Sequence, residues 1–293
     1  MTARVALVTG ASRGIGRCSA LALAVRGFDV AITARTVHEG DGRAVAGSVQ
    51  DTEAIPVPGS LDTTTAEIEA RGQRALALSA DIIDRESLYG LVDRVIDEWG
   101  RIDALVNNAI YQTPGTMDHI VDLPLDVAAV LVEGNYLNQL ALVQRVLPHM
   151  LAQDPDEHGT RGVVVNMTSA TAAINPPAPA GKGGWGLAYA ASKAAFSRIA
   201  GVLHAEHRDD GIRAYNVDPG HVVTESQRAR GGGKEFEDAG FRGLPAEVPG
   251  TVVAWLAAAG PDAIAQSGET LGAAGECKRR GLLPGWPPAP APT

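Results

Sequence analysis

A tyrosine and a lysine four positions apart, with a serine upstream of them, are the residues of this chain best suited to proton-transfer chemistry. Tyr189 and Lys193 lie in an alanine-rich stretch, 187–196, that contains no proline or glycine. That composition predicts a helix, and side chains four positions apart lie on the same face of a helix. We therefore expect the phenol and the ammonium to lie side by side, with Ser169 within reach of the same site.

A neighbouring cation would make this tyrosine chemically useful. A free phenol has a pKa near about 10 and exchanges protons poorly at neutral pH. An adjacent ammonium favours the phenolate and lowers its pKa, so that the tyrosine can act as a general acid or base. The same spacing also occurs by chance on surface helices, where it does no chemistry. The prediction therefore depends on the motifs that accompany the pair.

A strand, a glycine-rich turn and a helix at the amino terminus would form a phosphate site. Residues 5–8 are apolar, as in a buried parallel strand, and residues 9–16 carry glycines at positions 10, 14 and 16. Glycine permits a sharp turn and a close approach to a pyrophosphate, while free amides at the helix start face its negative charge. The spacing differs from the Gly-x-Gly-x-x-Gly fingerprint, and an ordinary glycine loop is the alternative.

Five motifs occur in an order and spacing that identify a family. They are the glycine turn, Asn-Asn-Ala at 107–109, Ser169, the pair Tyr189 and Lys193, and Pro-Gly-His-Val-Val-Thr at 219–224. In these motifs the chain resembles the short-chain dehydrogenase/reductase family, from about Arg4 to about Leu271. The resemblance implies an enzyme that transfers hydride between a nicotinamide cofactor and a small substrate.

The resemblance also implies a role for each catalytic candidate. Tyr189 would exchange a proton with the substrate oxygen, and Ser169 would hydrogen-bond that oxygen. Lys193 would lower the pKa of Tyr189 and bind the nicotinamide ribose. Asn135 resembles the family's fourth catalytic residue, which organises a water that links the lysine to solvent. A buried helix asparagine with a purely structural hydrogen bond is the alternative for Asn135.

The end of the second predicted strand indicates the cofactor. Residues 31–35 contain no acidic side chain that could accept hydrogen bonds from an adenosine ribose, and Arg35 stands there instead. In family members that prefer the phosphorylated cofactor, a basic residue occupies this position and another precedes the middle glycine, as Arg13 does here. Two guanidiniums can hold a 2′-phosphate by charge-assisted hydrogen bonds. NADP(H) is therefore expected over NAD(H), and two solvated surface arginines are the alternative.

Further residues are placed around the cofactor by the resemblance. Asp81 and Ile82 would lie at its adenine end, although Asp81 could equally cap a helix, and residues 107–109 would lie beside the adenosine ribose. Ligands of open α/β sheets bind beyond the carboxyl ends of the strands, where these residues should fall. The predicted cofactor-binding set is Gly10, Ser12, Arg13, Gly14, Ile15, Gly16, Arg35, Asp81, Ile82, Asn108, Ala109, Lys193, Pro219, Gly220, Val222 and Thr224.

Alternating strand and helix patterns predict an α/β fold, a doubly wound, Rossmann-like parallel sheet with helices on both faces. Strands are expected at 4–9, 29–34, 75–79, 103–107, 162–167, 212–217 and 269–271, and helices at 14–26, 64–71, 85–99, 125–151, 188–207 and 246–259. Thr64 and Glu67 have the spacing of a capping box that would open the second of these helices. The length of 293 residues suits a single domain, 1–276, followed by a partly anchored tail, 277–293.

Composition and charge exclude several classes of function. The 25 basic and 34 acidic residues give a net charge of −9, which disfavours nucleic acid because phosphate backbones need clustered lysine and arginine. Cys18 and Cys277 offer neither a disulfide framework nor a zinc spacing, and residues 204–207 lack the His-Glu-x-x-His arrangement, so no metal is expected. No leader segment and no apolar run of the ~20 residues that span a bilayer is apparent. A protein of the reducing cytoplasm with no membrane partner is expected.

Three segments are longer than the family pattern requires or unusual in composition. The link 36–62 exceeds the ~2–6 residues usual in such units. It is expected to fold over the adenosine side, although a mobile insertion without function is equally plausible. The proline- and glycine-rich stretch 175–185 is expected to form a wall of the substrate pocket, with Trp185 as a contact. Residues 227–244, with three consecutive glycines, lie where family members close a lid over the substrate.

Two assignments depend on details that the pattern leaves open. The serine role requires that Ser169, rather than Thr168 or Thr171, faces the phenol. Asp218 stands before the Pro-Gly pair where relatives usually carry asparagine, which puts one hydrogen bond in doubt.

Two classes of function fit this sequence. The first is an NADP(H)-dependent oxidoreductase that acts on the carbonyl or hydroxyl carbon of a small to medium, fairly apolar substrate, with an enoyl reductase as a weaker variant. The second is a catalytically idle NADP(H)-binding sensor or scaffold, which would have no need of the proton donor Tyr189. Helices 125–151 and 188–207 correspond to the subunit interface of the family, so a homodimer or homotetramer is expected. The same apolar faces could instead pack on the sheet.

Overall fold

Strand and helix alternate along the chain. The computed structural model describes residues 3–45, 47–48, 51, 53–229 and 243–288. Its strands are β1 (Arg4–Thr9), β2 (Phe28–Ala34), β3 (Arg43–Ala44), β4 (Ile55–Pro56), β5 (Ala75–Ser79), β6 (Ala104–Asn107), β7 (Gly162–Met167), β8 (Ile212–Asp218) and β9 (Thr270–Gly272). Its helices are α1 (Gly14–Val25), α2 (Leu61–Glu69), α3 (Arg85–Trp99), α4 (Leu125–Val132), α5 (Asn138–Ala152), α6 (Leu187–His207), α7 (Glu225–Ala229), α8 (Glu247–Ala257), α9 (Pro261–Ile264) and α10 (Ala273–Arg280). A π turn (Glu133–Leu137) joins α4 to α5, and a 3-10 turn (Ala170–Ala172) follows β7.

Seven parallel strands form the central sheet, in the order β5-β2-β1-β6-β7-β8-β9. The chain runs from β1 outward to one edge and then returns to β6, on the other side of β1. The strand order therefore reverses between β1 and β6, which is where open α/β sheets bind their ligands. Each of the seven predicted strands pairs in this sheet, and the predicted doubly wound single domain is confirmed.

Apolar side chains cover both faces of the sheet and explain why the strands are nearly continuous hydrophobic runs. One core layer packs beneath α1, α2 and α8 and includes Leu23, Phe28 and Val252. The other packs beneath α3, α5 and α6 and includes Val146 and Phe196. Each large apolar side chain buried in this way contributes roughly 1.5–3 kcal/mol. The strand ends that carry the site are thereby held by the best-packed part of the molecule.

The predicted capping box at Thr64 and Glu67 is wrong. α2 begins one turn earlier, at Leu61, and Ser60 caps it by accepting a hydrogen bond from Thr63 N at 3.0 Å. Thr64 is buried, and its hydroxyl donates to Ala11 O at 2.9 Å, while Glu67 pairs with Arg17 of α1. Both side chains are thus used in packing α2 against the glycine turn and α1.

The predicted helix 125–151 is helical along its length, but it is not α-helical throughout. The π turn lies within it and accommodates one extra residue, and the backbone on both sides stays helical. The π turn contacts the segment after β6, where both polar atoms of the Asn135 side chain bond the backbone of Tyr111. A Cβ added at Gly134 would lie 3.0 Å from the Cβ of Tyr111, so the turn packs closely on that segment.

The long link after β2 contains a short hairpin. β3 and β4 pair antiparallel, with Arg43 opposite Pro56 and Ala44 opposite Ile55. At the other end of the chain, the predicted boundary between domain and tail falls within α10, where Cys277 is fully buried. Leu282, Leu283 and Trp286 also pack against the core. Most of the predicted lid, 230–242, lies outside the described residues.

Among the residues that the structure describes, no helix combines the length and apolar character that crossing a membrane requires. Over the same residues, His, Cys, Asp and Glu side chains form no group of three or more that could hold a metal ion. Both cysteines are buried free thiols, and burial raises the pKa of Cys18 to about 12.

Candidate active site

A cavity of about 670 Å³ opens at the carboxyl ends of the central strands, at the point where the strand order reverses. All of the predicted cofactor-binding residues line it, and so do Ser169, Tyr189 and Lys193. Asn135 is the one predicted catalytic residue that does not. The fold therefore brings together residues that lie far apart in the sequence, from Thr9 to Gln227.

The glycine turn between β1 and α1 lines the cavity. Gly10 and Gly14 have φ of +68° and +56°, a backbone conformation that glycine adopts at little cost. A Cβ at Gly16 would lie 2.2 Å from Gly10 O, so only glycine fits there. α1 begins at Gly14 with no side-chain cap and no acidic residue in its first turn. Its first amides and the positive end of its dipole therefore suit an anion such as a pyrophosphate.

Thr9 and Asn108 fasten this turn to β6. The Thr9 hydroxyl accepts hydrogen bonds from Asn108 N and Ala109 N, each at 3.0 Å. The Asn108 side chain donates in return to Thr9 O at 2.9 Å and to Gly10 O at 3.2 Å. Asn108 thus fixes the position of the glycine turn, and Thr9 is a structural partner that the sequence analysis did not place in the site. A hydroxyl residue at the end of the first strand was the available signal.

Ser169 and Tyr189 meet in the same cavity. Ser169 lies two residues after β7 and caps the 3-10 turn, where its hydroxyl accepts from Thr171 N at 3.3 Å. Tyr189 lies in the first turn of α6, and its phenol shares a side-chain hydrogen bond with Ser169. Thr168 instead bonds Ser197 through its hydroxyl. Of the three candidate hydroxyl residues, Ser169 is therefore the one that faces the phenol.

Lys193 is one helical turn beyond Tyr189 and is only 4 % exposed. Its ammonium donates to Met167 O at 2.7 Å and lies 5.3 Å from the centre of the Phe196 ring. Burial lowers the pKa of Lys193 to about 8. The lysine is thus anchored to the end of β7, at the edge of the cavity.

The predicted direction of the pKa shift at Tyr189 is wrong for the protein alone. Burial of its hydroxyl raises the pKa of Tyr189, the bond from Ser169 lowers it, and the charge of Asp218 raises it again. The ammonium of Lys193 donates to Met167 O rather than to the phenol. The phenol is therefore held in its protonated form at neutral pH.

Asn135 hydrogen-bonds the backbone of Tyr111. It is 1 % exposed, accepts from Tyr111 N at 2.6 Å and donates to Tyr111 O at 3.1 Å. Gln139, one turn later, lines the cavity and donates to Ala109 O at 3.0 Å. Together these two amides fix the segment after β6 that forms the middle of the cavity. Gln139 was missed because nothing in the sequence distinguishes it from a solvated helix residue.

Two of the predicted cationic residues, Arg35 and Arg13, lie at the end of the cavity next to β2. The side chain of Arg35 is 60 % exposed and lies 3.7 Å from Asp81. Arg13 donates through Nε to Pro58 O at 2.9 Å and through Nη2 to Thr36 Oγ1 at 3.1 Å and Gly59 O at 2.8 Å. Burial lowers the pKa of Arg13, nearby Glu225 and Glu39 raise it, and repulsion from Arg35 lowers it. The guanidinium of Arg35 is therefore close enough to repel that of Arg13.

The Pro-Gly turn after β8 completes the lining. Gly220 has a φ of +70°, and its N–H donates to Asp218 Oδ1 at 3.1 Å. A carboxylate oxygen can accept this bond as an asparagine oxygen would, so the unusual Asp218 leaves the turn intact. A Cβ at Gly14 would lie 3.4 Å from Thr224 Cγ2, which places Thr224 against the start of α1.

None of the described residues in the proline- and glycine-rich stretch 175–185, including Trp185, lines the cavity. It packs instead on the segment that precedes α4, where His119 Nε2 lies 3.2 Å from Ala180 O. The following Gly186 lies against the same segment, because its Cβ would be 2.5 Å from Thr116 O. The predicted contact of Trp185 with a substrate stays a prediction.

Comparisons with known proteins agree with this arrangement. The family model described as short chain dehydrogenase matches residues 56–234. An uncharacterized oxidoreductase from Methylorubrum extorquens is 30 % identical over 280 residues, which cover 93 % of this chain and 96 % of the relative. A 3-oxoacyl-[acyl-carrier-protein] reductase from Staphylococcus epidermidis is 29 % identical over 224 residues, 76 % of this chain and 77 % of the relative.

The solved structures extend the similarity to three dimensions. A 3-oxoacyl-[acyl-carrier protein] reductase from Brucella melitensis, in complex with NAD, superposes with a TM-score of 0.73 at 26 % identity and covers 93 % of this chain and 96 % of its own. Membership of one family therefore explains the sequence motifs, the strand order and the cavity at the point where that order reverses. This chain belongs to the short-chain dehydrogenase/reductase family and is an NAD(P)-dependent oxidoreductase of small molecules.

Proposed function

We propose that the protein is an NADP(H)-dependent oxidoreductase that transfers hydride between nicotinamide and the carbonyl or hydroxyl carbon of a small to medium, fairly apolar substrate. The hydrogen bond between Ser169 and the protonated phenol of Tyr189 carries this proposal. Both residues line the same cavity as the glycine turn, whose amides would bind a pyrophosphate. A dinucleotide held at that turn would therefore share the cavity with Tyr189.

The residues of the cavity fit such a cofactor. The close packing of Gly16 on Gly10 fixes the turn at the start of α1, where free amides would bind phosphate oxygens. When bound, the nicotinamide supplies or accepts the hydride. Lys193 would hold its ribose, because the ammonium lies on the cavity side of β7 beside Met167.

The proton steps follow from the protonation state of Tyr189. In reduction, the phenolic O–H would donate its proton to the substrate oxygen as the carbonyl carbon gains hydride. The raised pKa of Tyr189 keeps this proton in place at neutral pH, and the hydroxyl of Ser169 would hydrogen-bond the same oxygen. The phenolate left behind lies in the first turn of α6, where the helix dipole favours negative charge. In oxidation the same groups would act in reverse.

Asn135 supports this site as a positioning residue. Its two hydrogen bonds hold the backbone of Tyr111, which lines the cavity between the two ends of the cofactor site. A water that links Asn135 and Lys193 stays a prediction.

The lining supports a fairly apolar substrate. Ile110, Leu142, Met167 and Val222 all line the cavity. The curated and structural relatives that are named 3-oxoacyl-[acyl-carrier-protein] reductases make 3-oxoacyl thioesters one class to test.

A preference for NADP(H) is supported by Arg35 and Arg13. Both line the adenosine end of the cavity, which carries no acidic side chain at the end of β2. A 2′-phosphate beside the largely exposed guanidinium of Arg35 would gain charge-assisted hydrogen bonds.

A homodimer or homotetramer is also proposed. Val130, Leu137, Leu187 and Val202 are exposed apolar residues on α4, the π turn and α6. Burial of these faces between subunits would remove them from water.

A single assay tests the main proposal. We expect NADPH oxidation, followed by absorbance, with some members of a panel of aldehydes, ketones, quinones and 3-oxoacyl thioesters, and slower turnover with NADH. Cofactor binding without turnover across the whole panel would favour the idle sensor or scaffold. A clear preference for NADH would contradict the role of Arg13 and Arg35.

A further inference from the structure

The long link between β2 and α2 is described at residues 36–45, 47–48, 51 and 53–60, and part of it lines the cofactor cavity. We refer to this link as the strap. It carries the β3–β4 hairpin, and Arg43, Ala44 and Val45 from the hairpin line the same cavity as Arg35 and Thr36. The strap is therefore part of the site at its adenosine end, and it brings a third arginine there.

Arg13 is occupied by the base of the strap. Its Nε and Nη2 donate to the carbonyl oxygens of Pro58 and Gly59 and to the hydroxyl of Thr36, so they join the two ends of the strap to the glycine turn. A Cβ at Gly42 would lie 2.3 Å from Nη2 of Arg13, which shows how closely the strap packs on this guanidinium. These bonds fix the Arg13 guanidinium and leave it fewer N–H donors for a ligand.

Arg43 is placed differently. It is exposed, and its Nη1 donates to Gly40 O at 2.7 Å and to Gly42 O at 2.8 Å. A guanidinium has five N–H donors in a planar fork. The two bonds made by Nη1 orient the Arg43 fork, and Nε and Nη2 are the atoms with which it can meet an anion.

Two acidic groups near the strap are already engaged. The carboxylate of Glu39 accepts from Gly59 N at 2.9 Å and from Thr63 Oγ1 at 3.3 Å, and the bond from Gly59 lowers the pKa of Glu39. Asp81 faces Arg35. Of the charged residues that line this end of the cavity, Arg13, Arg35 and Arg43 are basic and Asp81 is acidic, so the lining there suits an anion.

We propose that Arg43 contacts the 2′-phosphate of NADP(H) together with Arg35, and that Arg13 is a positioning residue that holds the strap over the site. This inference rests on the cofactor preference proposed above and moves one of its two phosphate contacts from Arg13 to Arg43. The strap is then a specificity element, because it adds a phosphate contact that the sheet and the glycine turn do not provide.

The test measures binding of two fragments of the cofactor by calorimetry. Adenosine 2′,5′-bisphosphate carries the 2′-phosphate, and adenosine 5′-monophosphate lacks it. We expect Arg43→Gln to weaken binding of the bisphosphate roughly tenfold, as the loss of a hydrogen-bonded charged partner does. Binding of the monophosphate should stay unchanged. Arg43→Lys should recover part of the affinity, and added salt should reduce the difference.

The control is Arg94→Gln, which removes an equal charge from an exposed position on α3 outside the cavity lining. Equal weakening of both fragments by Arg43→Gln would show that Arg43 only shapes the strap, and unchanged binding of both would show that it plays no part; either result overturns the inference while NADP(H) preference stands. A wild-type protein that binds both fragments equally would instead overturn the cofactor preference itself.

Discussion

The two ends of the cavity are built from different kinds of structure. At the catalytic end, Ser169, Tyr189 and Lys193 are carried by β7 and α6, which belong to the packed core. At the adenosine end, the strap is a partly exposed link with a hairpin whose strands have two residues each, and Arg13 bonds both ends of this link. Reacting groups thus depend on the same packing as the fold, whereas cofactor discrimination depends on a segment that could change with little effect on the core.

The largest effect is expected at the catalytic end, from Tyr189→Phe. Loss of the proton donor should lower kcat roughly 10²–10⁴-fold, the range for general acid–base catalysis. Cofactor affinity should stay close to that of the wild type, because the hydroxyl is all that is removed. Tyr89→Phe on α3 is the matched control, since Tyr89 lies outside the cavity. Turnover by Tyr189→Phe close to that of the wild type would refute the assigned role.

Lys193→Met should separate stability from activity. Burial lowers the pKa of Lys193 from 10.5 to about 8, so the charged lysine costs about 3 kcal/mol of folding free energy at pH 7. Loss of its bond to Met167 O offsets roughly 1 kcal/mol of the gain. We therefore expect the variant to be about 1–2 kcal/mol more stable at pH 7 and nearly inactive.

The pH dependence of that difference has a definite sign. Between about pH 8 and 10.5 the unfolded chain holds the lysine proton and the folded protein does not. The unfolding free energy of the wild type should therefore rise with pH across this window, and the advantage of Lys193→Met should shrink. Urea unfolding of both proteins at several pH values measures this, and a constant difference would contradict the lowered pKa.

Gly16→Ala tests the close contact within the glycine turn. The new Cβ would meet Gly10 O, so we expect a loss of about 1–3 kcal/mol of stability and weaker cofactor binding. Gly90→Ala on α3 is the control, because its Cβ would meet nothing within 4 Å. That helical substitution should stabilise the protein by roughly 0.4–1 kcal/mol. Thermal unfolding compares the two, and equal effects would show that the turn is not tightly packed.

The smallest effect on the whole fold is expected from Arg13→Gln at the adenosine end. Its loss should release the base of the strap while global stability changes by no more than about 1 kcal/mol, because the strap contributes little to the core. Hydrogen exchange should become faster in residues 36–60 and stay unchanged in β1 and β6. Faster exchange throughout the sheet would mean that the two ends of the cavity are not independent.

Contiguous motifs could be predicted from the sequence because their structure depends on neighbouring residues. β1, the glycine turn and α1 follow one another without interruption, and Tyr189 and Lys193 lie on one helix. The bonds from Arg13 to the strap could not be predicted, since they join residues 45 and 46 positions apart through a segment without regular pattern. The direction of the pKa shift at Tyr189 also required the structure, because it depends on burial, on the bond with Ser169 and on the charge of Asp218.

Two details of the helices could not be predicted from local pattern. Thr64 and Glu67 match a capping box locally, but Thr64 bonds Ala11 and Glu67 pairs with Arg17. The residues around Asn135 form a helix as predicted, and the π turn within it lies where Asn135 bonds the backbone of Tyr111. Local patterns thus predicted that the helices exist, while these details involve partners distant in the sequence.

The π turn gives this part of the chain one residue more than a regular helix needs. Each residue of an α-helix advances the chain by about 100° around the axis, and the π turn absorbs the extra residue without that rotation. Deletion of one residue from Glu133–Leu137 would therefore leave α4 and α5 in register, with Leu131 still buried. The side chain of residue 135 would lose its position against the backbone of Tyr111. A one-residue deletion here would thus disturb the middle of the cavity while sparing the core.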